Sequence, residues 1–371
     1  MRVALVHDYL SQDGGAERVL RAFHDLWPEA PVYTLLYDEE RANPVFRSWK
    51  IRTSFLQKFP GAVGHYRWYL PLMPTATESY DLSDYDFVLS SSSAFAKGVL
   101  CRPETLHISY CHTPTRYLWT DTHSYLSELN APQPIKAMLS LLSTNLRVWD
   151  RLAALRADRF IANSENVRER IRKYYGRQSV VIHPPVDLSQ FSLAGRPENF
   201  YLTGGRLVSY KRFDLVVRAF NKLGLPLRIF GTGPEEERLR QLAGANITFH
   251  GRVSDVEKAE LYRKCLAFLH PQLEDFGITA IEAMGSGRPV IAYPAGGALE
   301  TVIPGETGVF LQDQTWENLA HTVIRFDPGK FSPELIRSRA LQFDSAVFKE
   351  KIRRYVQEQY AEFRHARASR P

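Results

Sequence analysis

Apolar and polar positions along this chain fall into two alternating patterns. Short apolar runs such as VALVHDY, starting at Val3, are each followed by a longer segment with apolar residues on one helical face. In GGAERVLRAFHDLW, Val19, Leu20, Phe23 and Leu26 share a face, which predicts an amphipathic helix after the first strand. Further strands are predicted at VYTLLY, DFVLSSS, LHISYCH, RFIANS and SVVIHPP. Buried runs of this sort between helices point to a parallel sheet covered on both faces. The rhythm restarts after HPPVDLSQFSLAGRPEN, with strands at FYLTGG, LRIFGTG, ITFHG, CLAFLHP, PVIAY and GVFLQ, and helices at RFDLVVRAFNKL and EEERLRQLA. The Pro184–Pro185 step marks a linker. The predicted class is therefore α/β, with one domain over residues 1–190, a second from 191 to about 345, and one cleft between two sheets.

Composition narrows the class of function. The chain has 371 residues, 44% hydrophobic and 24% charged, as expected of a soluble protein with two cores of ordinary size. Its net charge of +6 suits a partner that is anionic: nucleic acid, a membrane surface or a phosphorylated substrate. No zinc-finger, helix-turn-helix or RNP signature supports nucleic acid, and the basic tail RHARASRP reads as a solvated end. Cys101, Cys111 and Cys265 form no CxxC pair, which argues for a reducing compartment and against a zinc site. The apolar run before His7 and Asp8 is too short for a signal peptide, and no run approaches the ~18 apolar residues of a membrane span. A cytoplasmic protein is expected.

Ligands of open α/β sheets bind at the carboxyl ends of the strands, and four motifs stand at such strand-to-helix junctions: DGGAE, GGRLVSYKR, GTGPEE and HPQLEDFGITAIE. In GGRLVSYKR, Arg206 and Lys211 are cations placed to hold a diphosphate, or else two solvated loop cations. Gly14 and Gly15 in DGGAE let backbone N–H groups approach an anion at a helix start. Gly231 and Gly233 lack the last glycine of a dinucleotide fingerprint and read as a tight turn that admits a ligand closely. In the fourth motif a helix is expected to start near Gly277. Its unpaired N–H groups favour an anionic or hydroxyl-rich ligand. Glu274 lies on the loop before it and Glu282 about five residues inside it, so the two carboxylates could hold the two ends of one ligand. A carboxylate accepts both hydroxyls of a ribose.

Glu-x7-Glu with a central Phe-Gly, the upstream GGRL…K, the GTGP turn and the early Gly-Gly loop occur here in the order that resembles the retaining GT-B glycosyltransferases of family 4. HDYLSQDGGAERVL, YDFVLSSSSAFAKGV and YCHTPTRYLW look like the mannosyltransferase branch that builds bacterial surface polysaccharides. The resemblance implies two Rossmann-like domains facing a central cleft and a C-terminal helix, over 346–371, that crosses back to the first. It implies that Arg206 and Lys211 bind the donor diphosphate and that Glu282 binds the ribose. Glu274, with the backbone of Phe276, Gly277, Ile278 and Thr279, would hold the donor sugar. Gly14 and Gly15 would approach the phosphate, Arg252 and Val253 would border the nucleobase, and His112 would contact the sugar near the reacting carbon.

The resemblance further implies transfer with retention from GDP-mannose, or another GDP- or UDP-sugar, to a saccharide acceptor carried on a polyprenyl diphosphate, at the inner membrane face. No cofactor and no metal are expected, because fixed cations and a helix dipole can stabilise the departing diphosphate. Asp84 and Asp86 in SDYDF precede a strand, away from the ligand edge, and are set aside as a metal site. Two other classes compete: a Rossmann oxidoreductase, which leaves Arg206, Lys211 and both glutamates unexplained, and a nucleotide-sugar sensor without turnover. SFLQKFPGAVGHYRWYLPLMP, from Ser54, mixes aromatics with Lys58, His65 and Arg67 and reads either as core or as a contact with an anionic bilayer.

Overall fold

The computed structural model describes residues 1–120, 133–193 and 195–368. The last three residues of the basic tail therefore lie outside the described residues. The chain separates into two units, the first being Met1–Pro184 with the segment from Phe348 onward, and the second Pro185–Val347.

The first unit is built on seven strands: β1 (Val3–Leu10), β2 (Val32–Tyr37), β3 (Ile51–Thr53), β4 (Phe87–Ser92), β5 (Leu106–Cys111), β6 (Arg159–Ala162) and β7 (Ser179–Val181). All pairings are parallel, in the order β3-β2-β1-β4-β5-β6-β7. The chain runs outward from β1 to β3, then returns to start again at β4, so the strand order reverses between β1 and β4. Both faces of this sheet are buried, and the side-chain period of two decides which residue faces where. Val3 and Leu5 of β1, Phe87 and Leu89 of β4, and Leu106, Ile108 and Tyr110 of β5 share one core with Val19, Leu20 and Phe23 of the helix Gly15–Leu26. Ala4, Val6 and Val88 belong to the core on the other face. The C-terminal helix Ser345–Ala368 closes the first of these cores: Phe348 stacks on Phe23 at 5.8 Å, and Ile352 and Val356 are fully buried beside it. Burying each such side chain contributes about 1.5–3 kcal/mol.

The second unit carries β8 (Tyr201–Gly204), β9 (Leu227–Phe230), β10 (Ile247–Gly251), β11 (Phe268–His270), β12 (Val290–Ala292) and β13 (Gly308–Phe310). They are again all parallel, ordered β10-β9-β8-β11-β12-β13, with the reversal between β8 and β11. Leu202, Phe230, Phe268, Val290 and Ala292 point into one core, and Tyr201, Leu227, Ile229, Leu269 and Ile291 into the other. The unit is closed where the chain enters and leaves it, by Val186 N–H donating to the Phe343 carbonyl at 3.1 Å and Ser345 N–H to the Val186 carbonyl at 3.0 Å. No helix among the described residues is long and apolar enough to cross a membrane.

Candidate active site

Each sheet presents polar residues at its reversal point, where open α/β sheets bind ligands. In the first sheet, His7 pairs in register with Ser91, and the His112 N–H donates to the Ser92 carbonyl at 2.8 Å. His7, Ser91 and His112 continue the face of Leu5, Leu89 and Tyr110, so all three turn toward the helix Gly15–Leu26. Their side chains touch. His7 Nδ1 lies 3.0 Å from Ser91 Oγ, and Ser91 Oγ lies 2.8 Å from His112 Nε2. His7 Nε2 stands 3.8 Å from Glu17 Oε1 in the first turn of that helix. Burial alone would raise the Glu17 carboxyl, but the neighbouring His7 ring, with backbone N–H donors, brings it below its ordinary value. Burial, aided by the charge of His7, pushes His112 down to about 4, against the pull of Asp8 and Glu17. His112 is only half-buried and so keeps access to solvent.

The glycine pair behaves differently from the expectation. The Gly14 N–H donates to Glu17 Oε2 at 2.8 Å, the half of a capping box that a glycine can make. That donor is already engaged, so it is Glu17, three residues into the motif, that occupies the place foreseen for an anion. Gly15 is the exposed first residue of the helix. Asp8, left without a role on sequence grounds, accepts four backbone N–H groups from Ser93 to Ala96 at 2.6–2.9 Å and fixes the turn after β4.

In the second unit the loops after β8 and β11 meet. Lys211 is buried, and its Nζ lies 2.7 Å from Glu274 Oε1. Arg206, grouped with Lys211 in the sequence, is instead exposed. Arg212 adopts φ 57°, the one left-handed non-glycine residue among the described residues, and caps the helix Phe213–Leu223. The turn after β9 packs on the same loop. Gly231 has φ 104°, and a Cβ there would overlap the Gly205 carbonyl oxygen; one on Gly233 would overlap that of Leu207. These two glycines are required by the protein's own backbone, where a close ligand had been expected.

The loop after β11 runs from buried His270 to Gly277, which has φ 89° and caps the helix Ile278–Gly285. A Cβ at Gly277 would stand 2.9 Å from His270 Nε2. Burial pushes His270 down to about 4, while Glu274 raises it and Lys211 lowers it further, and the Gln272 amide lies 2.9 Å from its Nδ1. The Phe276 side chain is core, 5.5 Å from the Phe343 ring, which leaves its backbone to serve the loop. Ile278 packs against the same core, and Thr279 Oγ1 is buried without a hydrogen-bond partner.

Glu282 is the fifth residue of that helix and is 2% exposed. Lys258 Nζ lies 3.2 Å from Oε1, and the Tyr262 hydroxyl donates to Oε2 at 3.1 Å. Both partners come from the helix Asp255–Lys264, a pairing that sequence reasoning missed. Just before that helix, Arg252 is exposed and Val253 packs partly against the core. Within the second unit, then, Lys211 and Glu274 are joined directly, while Glu282 is anchored to a different helix. In the first unit, His112 is joined to His7 and Ser91. Asp86 accepts the Arg2 N–H at 2.7 Å, ahead of β4.

Comparison with known proteins agrees with this architecture of two units. The model of Glycosyltransferase Family 4 matches residues 13–190, and that of Glycosyl transferases group 1 matches residues 187–328. The chain belongs to the family 4 glycosyltransferases. Among relatives of this family 4 chain, an uncharacterized glycosyltransferase of Methanocaldococcus jannaschii is 24% identical over 58% of the chain and 63% of its own length. A D-inositol 3-phosphate glycosyltransferase of Rhodococcus erythropolis is 30% identical over 47% of each chain. The chain thus spans 63% of the first of these relatives and 47% of the second. Among solved structures, an Anabaena protein, HepE, in complex with UDP and glucose, superposes with a TM-score of 0.71 over 96% of this chain and 100% of its own, at 19% identity. The fold of this family 4 glycosyltransferase is GT-B, with two Rossmann-like domains.

Proposed function

We propose that this protein transfers a sugar from a nucleotide-sugar donor to a saccharide acceptor. The observation that carries the reading is the contact between Lys211 and Glu274 beside the start of the helix Ile278–Gly285. A cation suited to a diphosphate and a carboxylate suited to sugar hydroxyls lie together there, and a helix start favours an anion, which supports the reading. On donor binding, Lys211 exchanges its carboxylate for the diphosphate, with Arg206 as the second cation, and Glu274 accepts hydroxyls of the sugar. Glu282 accepts the ribose hydroxyls, Arg252 and Val253 border the base, and His112 contacts the sugar. The bond from the anomeric carbon to the diphosphate breaks as the acceptor oxygen bonds on the same face. The acceptor proton leaves to the departing phosphate oxygen. Charge stabilisation of that leaving group and orientation of the acceptor supply the rate enhancement, without a metal and with retention.

GDP-mannose is the donor we favour, on the likeness of YCHTPTRYLW and its neighbours to mannosyltransferases, with a polyprenyl-diphosphate-linked saccharide as acceptor at the inner membrane face. A UDP-sugar is the second reading, supported by the Anabaena neighbour solved with UDP and glucose. The test is a thermal-unfolding screen of GDP, UDP and their sugars, followed by product analysis with the best donor. A ligand at 100 times its dissociation constant adds about 2.7 kcal/mol, a shift of several degrees for domains of this size. If no nucleotide sugar raises the unfolding temperature and none is hydrolysed or transferred, the reading is wrong.

A further inference from the structure

The buried row Glu17–His7–Ser91–His112 is more than packing, because each member restricts the proton of the next. The Glu17 carboxylate only accepts, and its charge, 3.8 Å from His7 Nε2 and so at ion-pair rather than hydrogen-bond distance, favours the proton on that nitrogen. When His7 carries only that one proton, its other nitrogen, Nδ1, has a lone pair and accepts the Ser91 O–H at 3.0 Å. The Ser91 hydroxyl has spent its one proton, and what it turns to His112 Nε2 at 2.8 Å is a lone pair. His112 Nε2 must therefore be the N–H, and Nδ1 the bare nitrogen.

We propose that Glu17, His7 and Ser91 are positioning residues that hold the His112 proton on Nε2 and so present Nδ1 as a fixed hydrogen-bond acceptor for a hydroxyl of the donor sugar. The order of the row comes from the fold. Strand register sets His7 against Ser91, the period of two turns His112 to the same face, and the half capping box pins Glu17 by giving its Oε2 the Gly14 N–H while Oε1 faces His7. Ser91 is fully buried, so no solvent competes for its hydroxyl. The charged and titratable groups around the row are Asp8 on β1 and Glu17 on the first helix, with Tyr110 at 5.2 Å from the His112 ring. The same logic predicts reversal: adding a proton to His7 makes Nδ1 a donor, turns Ser91 toward His112 Nε2 and moves the His112 proton to Nδ1.

The inference rests on the transferase reading for its purpose but not for its test. The test is nitrogen-15 NMR of the histidine rings in the full chain, free of ligand, at pH 7.5. The wild type is expected to show His112 as the Nε2–H tautomer. Ser91→Ala should give a mixture of tautomers, and Ser91→Thr, which restores the hydroxyl, should return the single form. Glu17→Gln should also mix them, because an amide can either donate or accept at His7. In turnover, Ser91→Ala should lower kcat about ten-fold, the worth of one lost hydrogen bond, with Ser91→Thr recovering it. His112 in the Nδ1–H form in the wild type, or a single Nε2–H form retained by folded Ser91→Ala, overturns the proposal, as does a normal kcat in a variant whose tautomers are mixed. If no nucleotide sugar turns over in any form, the transferase reading fails and the tautomer result decides the relay by itself.

Discussion

At the residue scale the two carboxylates of the Glu-x7-Glu stretch lie in unlike surroundings, and unlike consequences follow from removing them. Glu274 sits on a loop against Lys211, whereas Glu282 is tied inside to Lys258 and Tyr262. Glu282→Ala should weaken binding of the bare nucleoside diphosphate by about ten-fold or more, the worth of hydrogen bonds to a charged group. It should also lower stability by about 1–3 kcal/mol, since the Tyr262 hydroxyl loses its acceptor. Glu282→Gln, which still accepts from Tyr262, should recover most of the stability and little of the binding. Glu274→Ala should reduce turnover more than affinity for the nucleoside diphosphate. Calorimetric titration and initial rates separate these; equal losses of nucleotide affinity in both variants would refute the division of roles. The pair was legible because a spacing of eight residues fixes one glutamate before a helix and the other inside it. Lys258 and Tyr262 were not, because their contact joins two different helices, and no spacing rule reaches across 20 or 24 residues of chain. Nor did the glycine motifs disclose that Glu17 would take the Gly14 amide, although Glu at that position after a loop is itself a capping signal.

At the element scale, each sheet holds in an inner strand a buried histidine kept neutral. His107 on β5 lies 2.9 Å from Ser90 Oγ, and burial with the nearby Arg177 pushes it down to about 3. His270 on β11 is pushed down by burial to about 4. A histidine whose folded value lies below its unfolded value of about 6.5 stabilises the fold above that pH. The contribution is lost as pH falls, because the unfolded chain binds the proton first. Between about pH 6 and pH 4 the two together should lower stability by roughly 3 kcal/mol per pH unit, one acting in each unit. Urea unfolding at pH 7.5, 5.5 and 4.5 checks this; equal midpoints at the first two values would show that these rings are not held neutral. The strands themselves were readable wherever an apolar run was long enough to be bounded by turns. β3 was missed because it has three residues, Ile51–Thr53, half or fully exposed at the sheet edge, where neither alternation nor burial leaves a pattern. The reversal of strand order that makes each reversal point was not in the sequence either, since pairing partners are set by packing across the sheet.

At the scale of the molecule, the surface of the Ser54–Pro74 stretch bears on where the protein works. The stretch has two sides. Leu56, Ala62 and Met73 are buried, and Tyr66, Tyr69 and Leu70 pack partly against the same core. Phe55, Phe59, Trp68 and Leu72 are exposed, Trp68 to 76%, and exposed Lys58, His65 and Arg67 stand among them. The Tyr69 hydroxyl donates to the Pro60 carbonyl at 2.6 Å and holds the segment closed on itself. The exposed rings thus project from a segment anchored to the core. Aromatics at that exposure beside cations, on a chain of net charge +6, suit the headgroup layer of an anionic bilayer. Each basic residue near such a surface contributes about 1 kcal/mol. Lys58→Glu with Arg67→Glu should therefore lower binding to phosphatidylserine vesicles by about thirty-fold or more and leave nucleotide binding intact, because both residues lie in the other unit from Lys211 and Glu274. Trp68→Ala should weaken vesicle binding without the same dependence on salt, since it removes apolar contact and no charge. Raising the salt to 1 M, where the screening length falls to about 3 Å, should release the wild type and narrow its difference from the charge-reversed variant. If the wild type does not sediment with anionic vesicles at low salt, or if the double variant sediments equally, the membrane contact is refuted.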